Sequence, residues 1–198
     1  MRTVNQAKHN QKRRDILSAA MRCFNKGGIH GTPVSKICSE AKISAGHLYH
    51  YFKSKEEIVG AIADEVLEHA SQHLLASVSE GDFVKSINNF IEELTGFKDK
   101  VKHSLVFDFF SEAGRNPALS EILQKHNQSM RQLLVKVLEQ GQQNGQINPS
   151  LDTEAAATII ISLIDGIKLM PVRNATLKWN EILEMHHTMV ENFLSTSP

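Results

Sequence analysis

Residues that cross-link or stiffen a small protein are scarce in this chain, which has 2 Cys, 5 Pro and 1 Trp among 198 residues. Its two thiols, Cys23 and Cys38, are too few for a thiolate metal cluster or a disulfide framework. Both fall on apolar faces of helical patterns. This placement favours buried, reduced thiols in a cytoplasmic protein, and the alternative is a redox-sensing pair.

Long apolar runs and catalytic signatures are also missing. No run approaches the roughly 18 apolar residues of a transmembrane helix, and the basic N-terminus lacks the apolar stretch of a signal peptide. The sequence contains no glycine-rich phosphate loop, nucleophile elbow or catalytic-triad order. We therefore expect a cytoplasmic protein that has no membrane partner, needs no cofactor and is not an enzyme.

The chain has no net charge, but its charges are distributed unevenly. Residues 1–60 contain 11 Lys and Arg against 4 Asp and Glu, a net charge of +7, whereas residues 61–198 carry −7. A basic segment is the electrostatic footprint of phosphate binding, and an acidic segment is repelled by DNA. The pattern predicts a DNA-binding head and a body held away from DNA.

Two short helical patterns follow each other within residues 32–51. Thr32 and Pro33 are residues that favour the start of a helix, and Ser44 is a good N-cap for a second one. Ile37 and Ala41 share a face of the first helix. With room for only a tight turn between the helices, the pattern predicts a helix-turn-helix motif.

The outward side chains of the second helix favour DNA binding over an ordinary helical hairpin. If Leu48 and Phe52 point inward, small residues, tyrosines and histidines face outward. Small residues let the backbone approach phosphates, and Tyr and His offer hydrogen bonds and flat apolar surface to bases. The outward set is Ala45, Gly46, His47, Tyr49, His50 and Tyr51.

The next helix, the fourth of the chain, starts directly afterwards at Ser54, which has the spacing of a capping box with Glu57. Lys55 lies in the first turn of this helix, where the helix dipole disfavours a cation. A DNA phosphate beside Lys55 would remove this conflict.

The stretch from Thr32 to Lys55, with its Leu-Tyr-x-Tyr-Phe-x-x-Lys core, resembles the helix-turn-helix of the TetR family of bacterial transcriptional regulators. The resemblance implies DNA contacts at Ser35, Lys36, Ser44, Ala45, Gly46, Tyr49, His50, Tyr51 and Lys55. Two positions depart from the family. Lys42 stands where a turn glycine is usual, which predicts a non-glycine residue at positive φ. His47 replaces a small polar residue, so the operator of a relative cannot be assumed here.

From Gln11 onward the sequence shows helical periodicity and no strand pattern, which predicts an all-α fold. Residues 1–9 read as a mobile arm, and a first helix is expected from Gln11 to a left-handed cap at Gly27-Gly28. Asp82, Asn116 and Asp152 are expected to cap later helices. We predict a DNA-binding domain at residues 1–68, joined by a long fourth helix to a ligand-binding and dimerisation domain at residues 69–198.

The last two helical patterns predict the dimer interface. The segment from Ala155 to Met170 is apolar nearly all round, which predicts burial on both faces. The final helix, expected from about Leu177, carries a broad apolar stripe. Paired with their symmetry mates, the two helices would form a four-helix homodimer interface.

The body resembles the C-terminal region of the TetR branch that includes the repressor of choline-to-betaine genes. Two segments carry this resemblance, Phe107 to Leu119 and Asp152 to Ile167. No ligand is carried over from this branch, and the resemblance to the TetR family as a whole implies a small-molecule effector of unknown identity. The residues proposed as pocket walls, with simple core packing as the alternative, are Phe110, Glu112, His126, Met130 and Trp179.

Asp108 and Glu112 lie one helical turn apart among aromatic residues. Paired carboxylates can perform acid–base chemistry with a histidine or hold a cationic ligand, and the alternative is a solvated stripe with the aromatics facing inward. His69 and His73 have the spacing of a metal-ligand pair, but the sequence offers no third ligand. We therefore interpret the histidines as surface residues and expect no metal.

These observations together predict a ligand-responsive transcriptional regulator, and specifically a repressor. It would bind a palindromic double-stranded DNA operator as a dimer and be released by a small molecule. A structural DNA-binding protein without sequence preference is the alternative that shares the basic head.

Overall fold

The computed structural model describes residues 2–95, 100–173, 176 and 178–195, with side chains at 6–95, 107–170, 176 and 178–195. The elements of this described part are all helices, and no strand occurs in it, so the all-α prediction is confirmed. The helices are α1 (Arg2–Gly27), α2 (Val34–Ala41), α3 (Ala45–Tyr51), α4 (Lys55–Val78), α5 (Phe83–Thr95), α6 (Lys100–Ala113), α7 (Pro117–Gln143), α8 (Thr153–Arg173) and α9 (Trp179–Leu194).

The first helix begins earlier than the sequence predicted. The expected mobile arm at residues 1–9 is wrong, because α1 is continuous from Arg2. Its N-terminal half contains no Gly or Pro, and Gln6 donates a side-chain hydrogen bond to Asn10 one turn later (3.1 Å). Helix propensity and such pairs extend a helix without apolar content. The left-handed cap is confirmed at Gly28, which has φ 70°.

The predicted caps of the later helices are confirmed. Asp82 Oδ1 accepts a hydrogen bond from Lys85 N (2.9 Å), and Asp152 Oδ1 accepts one from Ala155 N (3.0 Å). Asn116 Oδ1 binds the first turn of α7 in the same way. These bonds satisfy amide groups that have no partner within the helix.

Thr32, in contrast, does not cap α2. Its hydroxyl is buried and donates to the carbonyl oxygens of Gly28 (2.7 Å) and Cys23 (3.2 Å) at the end of α1. Val34 is the first residue of α2, and Pro33 precedes it in an extended conformation. The threonine therefore fastens the turn between α1 and α2 instead of starting the helix.

The chain divides into two compact units. The first contains residues 1–65 and 104–123, and the second contains residues 66–103 and 124–198. Part of α6 and the start of α7 therefore group with the N-terminal helices, although the sequence analysis assigned them to the body.

The first unit has its own core, in which α1 packs on α2 and α2 packs on α3. Phe24, Leu48 and Phe52 are buried in this core. Gly60 on α4 admits Ile122 of α7, because a Cβ at residue 60 would lie 3.1 Å from the Ile122 side chain. The burial of these side chains fixes the position of α3.

The second unit is centred on α5, which packs against α8 and α9. The buried face of α8 consists of Ala156, Ala157, Ile160, Ile164 and Ile167. The opposite face is open within one chain, where Ile159 is 52% exposed. The predicted burial of both faces is therefore not met by a single chain.

Candidate nucleic-acid interface

The turn between α2 and α3 is built on a lysine in a left-handed conformation. Lys42 has φ 53° and ψ 50°, and its amide donates to the carbonyl oxygens of Cys38 and Ser39 at the end of α2. The positive φ predicted for this residue is confirmed. It carries a cost for a side chain with a Cβ, and the closed turn compensates for that cost.

A capping serine starts α3. Ser44 Oγ accepts a hydrogen bond from His47 N (3.2 Å), which confirms the predicted N-cap. Leu48 and Phe52 are 0% and 1% exposed, so both point inward as predicted. A seven-residue helix is too short to be stable alone, and these two anchors hold it against the core.

The remaining side chains of α3 face outward. Tyr49 is 52% exposed, and Gly46 has no atom within 4 Å of the place where a Cβ would stand. Tyr51 is half-buried. The other predicted contact residues, Ser35, Lys36, Ser44, Ala45, His47 and His50, are exposed. The helix therefore presents a polar and aromatic surface to solvent.

A ring cluster supports Tyr51. His47 stacks on Tyr51 at 5.6 Å between ring centroids, and His9 of α1 lies 4.6 Å from it. His50 contacts Tyr51 edge-on at 5.4 Å. His9 was not among the predicted site residues, because residues 1–9 were expected to form an arm and no local pattern joins His9 to a residue 42 positions later.

Lys55 binds within the chain. Its ammonium donates to the carbonyl oxygen of Ile29 (2.7 Å), with longer bonds of 3.4 Å to those of His30 and Thr32. Ser54 Oγ caps α4 by accepting from Glu57 N (3.2 Å), as predicted. The conflict between Lys55 and the dipole of α4 is thus relieved by three carbonyl groups of the same chain.

The carboxylates of α6 bind the same loop. Asp108 Oδ2 accepts a hydrogen bond from Ile29 N, and Glu112 Oε2 lies 3.5 Å from His30 Nδ1. A Cβ at Gly28 would lie 3.1 Å from Asp108 Oδ2, so glycine admits the carboxylate here. Both carboxylates therefore position the loop that precedes α2.

This arrangement corrects two interpretations of α6. Asp108 and Glu112 do not form a solvated stripe, and the aromatics do not all face inward, because Phe107 is 49% exposed. The histidine beside Glu112 is His30, whose side chain is 86% exposed. No buried acid–base cleft is formed by these residues.

The five residues proposed as pocket walls fall in different units. Phe110 and Glu112 belong to the first unit, whereas His126, Met130 and Trp179 belong to the second. Met130 is buried in the core of the second unit, as the core-packing alternative expects, and the other four are partly buried. A cavity of about 230 Å³ in the second unit has other walls, including Leu74, Ser86 and Phe90.

The two cysteines are free and buried. Burial raises the pKa of the Cys38 thiol, against a smaller opposing effect of a backbone hydrogen bond. A raised thiol pKa reduces the fraction of thiolate, which is the reactive form. These properties favour the inert thiols over the redox pair.

His69 and His73 are exposed, as predicted, but they have a shared partner that the sequence did not reveal. Glu93 of α5 places Oε1 2.7 Å from His69 Nδ1 and Oε2 3.0 Å from His73 Nδ1. The pairing depends on α5 packing beside α4, and no spacing in the sequence records that.

A search of the described residues finds no helix that is both long and apolar enough to cross a membrane.

A tight two-helix motif with a capped, outward-facing second helix defines a helix-turn-helix DNA-binding protein. Comparison with known proteins gives the family. Residues 16–62 match the family model of bacterial regulatory proteins of the tetR family, and residues 90–195 match the model of the BetI-type transcriptional repressor C-terminal region. The chain belongs to the TetR family and is a DNA-binding transcriptional regulator. This family consists of regulators, not enzymes.

Individual relatives are also transcriptional regulators with a helix-turn-helix. The chain is 34% identical over 154 residues to the HTH-type transcriptional repressor KstR2 of Mycobacterium tuberculosis, covering 73% of this chain and 74% of that one. It is 28% identical over 152 residues to the HTH-type transcriptional regulator UidR of Escherichia coli, covering 77% of each. The solved structure of GusR from Salmonella enterica has a TM-score of 0.75 and 28% identity, covering 93% of this chain and 95% of that one.

Proposed function

We propose that this regulator is a cytoplasmic repressor that binds a palindromic operator as a homodimer and releases it when a small molecule binds. The observation that carries the proposal is the outward face of α3, with Tyr49 half exposed over the buried anchors Leu48 and Phe52. The α3 helices of the two copies enter successive major grooves, about 34–36 Å apart from centre to centre.

The predicted contact residues divide by chemistry. Tyr49, His47 and His50 reach base edges, where ring nitrogens and hydroxyls read donors and acceptors. Ser35, Lys36, Ser44, Ala45 and Gly46 contact the phosphate backbone, which fixes the register of the protein on DNA. Tyr51 stacks on the His47 ring and contacts DNA at the edge of this surface. Lys55 contributes to DNA binding by holding the loop before α2 with its ammonium group.

The apolar surface of α8 and α9 supports the homodimer. Ile159 is 52% exposed, Met185 is 70% exposed and Met189 is 48% exposed. α8 and α9 both pack on α5. Large exposed apolar side chains on such a pair of helices mark an interaction surface. In the proposed dimer, α8 and α9 of each copy bury these side chains against the same helices of the other copy.

The proposed release step uses the contacts of α6. Asp108 and Glu112 bind the loop before α2, and Lys55 binds carbonyl groups of the same loop. An effector that contacts α6 at Phe110, or that withdraws Glu112 from His30, would shift this loop and with it the helix-turn-helix. Operator affinity then falls because the effector favours the shifted conformer.

The test is selection of bound sequences from a random duplex pool with the full-length protein. The expected result is a palindrome whose half-sites are about one helical turn apart, bound at least about 1,000-fold more tightly than random duplex. Recovery of no preferred sequence would identify a structural DNA-binding protein and refute the proposal.

The effector is tested separately on the selected operator. A broad metabolite screen is expected to contain a compound that releases the parent protein. A matched variant, Glu112→Gln, should change the concentration needed for release without abolishing operator binding. Failure of every compound to release the protein would contradict the effector and leave the operator result standing.

A further inference from the structure

A cluster of three metal-ligand side chains lies in the second unit, apart from the helix-turn-helix. His69 and His73 are one turn apart on α4, and Glu93 reaches them from α5. One ligand atom from each residue can be chosen so that all three lie within 4.8 Å of one another. Among the described residues, no other group of three or more His, Cys, Asp or Glu side chains meets this condition.

We propose that His69, His73 and Glu93 form a binding site for a divalent transition-metal ion of the zinc type. Two imidazoles and one carboxylate are a ligand set that zinc accepts, with a fourth position left open for water or another ligand. This site is independent of the proposed repressor mechanism, since none of its residues belongs to the DNA-binding surface.

The geometry requires little rearrangement. Two histidines at positions i and i+4 project from the same face of a helix, and their rings here are 4.3 Å apart between centroids. In a tetrahedral zinc site the ligand atoms are roughly 3.3 Å apart. The present distances of 2.7 Å and 3.0 Å between Nδ1 and carboxylate oxygen are close to this value. Small side-chain rotations would open the site for an ion.

Metal binding requires a change of imidazole tautomer. Each Nδ1–H donates to a Glu93 oxygen in this structure, since a carboxylate only accepts. With the proton moved to Nε2, the Nδ1 lone pair of the neutral imidazole can bind the metal. The Glu93 carboxylate supplies one negative charge. The His69 and His73 side chains are 67% and 61% exposed, so an ion can reach them from solvent.

A cavity adjoins the site. His73 and Glu93 both contribute to the walls of the cavity of about 230 Å³, together with Ser77, Ser86 and Asn89. Leu74 and Phe90 complete these walls, so the lining is mixed. The polar groups among them can hold water or a small ligand beside the ion.

The experiment titrates the full-length protein, first stripped with a chelator, with Zn²⁺ by isothermal calorimetry. The parent is expected to take up one ion per chain in a saturable step. His69→Ala and His73→Ala should each weaken binding by at least about tenfold, and Glu93→Gln should weaken it by a similar factor. Co²⁺ should give a visible absorption band with the parent that is absent from His69→Ala/His73→Ala.

His30→Ala is the matched control, because His30 also lies beside a glutamate but has no second histidine, and it should bind Zn²⁺ like the parent. Alanine is the best helix former, and both histidine positions are exposed, so the α4 variants should retain the parent's circular dichroism. Absence of saturable uptake by the parent, or unchanged uptake by His69→Ala/His73→Ala, would overturn the proposal.

Discussion

The helix α3 and the pair α8 and α9 both expose side chains that one copy of the chain leaves uncovered, but the chemistry of the two surfaces differs. Tyr49 of α3 is 52% exposed among histidines and small residues. Met185 of α9 is 70% exposed, and Ile159 of α8 is 52% exposed. Polar rings suit the edges of bases, whereas thioether and aliphatic groups suit burial against protein. The two surfaces are similarly exposed but chemically different, and this difference supports the proposal of DNA as the partner of α3 and a second copy of the chain as the partner of α8 and α9.

The charges of the two regions also behave differently. Lys55 and Asp108 of the first unit bind backbone groups of one loop. On α8, burial raises the pKa of Asp165, opposed by the positive charge of Lys168, and burial lowers the pKa of Lys168, opposed by Asp165. Charge fixes local structure in the first region and carries a desolvation cost in the second.

The contrast between the two surfaces would be lost if the apolar surface of α8 and α9 were not an interface. Ile159→Asp is expected to dissociate the proposed dimer, because a carboxylate would be buried against apolar groups. Operator affinity should then fall by at least about 100-fold, since two linked heads no longer bind together. Analytical ultracentrifugation and gel-shift titration measure the two effects.

Leu75→Asp is the matched control, since Leu75 is 45% exposed on α4 and lies outside α8 and α9. It should remain a dimer with the parent's affinity. A dimeric Ile159→Asp variant would show that the two helices do not form the interface.

A second test asks whether Lys55 stabilises the fold or binds phosphate. Lys55→Met retains the apolar stem but removes the ammonium from three carbonyl groups. The free energy of unfolding should fall by about 2 kcal/mol in urea denaturation. Lys53→Met, at an exposed neighbour, should leave it unchanged. Unaltered stability of Lys55→Met, with a salt slope of DNA binding reduced by about one, would identify a phosphate contact instead.

The variant Tyr49→Ala tests whether α3 reads the bases. Loss of one base-edge contact should weaken operator binding by about tenfold and relax the sequence preference at one or two positions. Competition gel shifts against operators with single substitutions measure both effects. Tyr49→Phe separates the hydroxyl from the ring. Parent-like binding by Tyr49→Ala would mean that α3 does not read the bases.

The smallest effect concerns the charges on α8. The stabilising contribution of Asp165 is present below its ordinary pKa of 3.8 and is lost as the pH rises through its raised folded value. That of Lys168 is present above its ordinary pKa of 10.5 and is lost as the pH falls through its lowered folded value. At pH 7 we therefore expect Asp165→Asn/Lys168→Met to be more stable than the parent by about 1 kcal/mol.

The single variant Lys168→Met is the control for this pair. It leaves Asp165 without the favourable charge, so its free energy of unfolding at pH 7 should be lower than the parent's. Denaturation of the three proteins between pH 5 and pH 9 checks the order. A double variant less stable than the parent would contradict the assigned cost of the charges.

Local signals were sufficient for much of the helix-turn-helix. The Ser44 cap and the inward Leu48 and Phe52 depend on neighbouring residues, and the structure confirms them. The positive φ of Lys42, which the resemblance to the TetR family implied, is also confirmed. The start of α1 was predicted wrongly because low apolar content was read as disorder. Propensity and pairs such as Gln6 with Asn10 were enough to continue the helix.

Contacts between distant segments were not predictable in the same way. Thr32 bonds to the end of α1, Asp108 binds Ile29 across 79 positions, and Glu93 joins His69 across 24. Each depends on which helices pack side by side, and periodicity reports only which face of a helix is apolar. The roles assigned to Thr32 and Asp108 changed for this reason.

The sequence by itself determined the all-α class, the caps at Ser44, Asp82, Asn116 and Asp152 and the end of the chain that carries positive charge, because each depends on residue type at short spacing. Tertiary structure alone decided the partners of Lys55, Asp108 and the α4 histidines, and which face of α8 stays open. Those outcomes depend on the packing of segments far apart in the chain, which brings a specific donor to a specific acceptor.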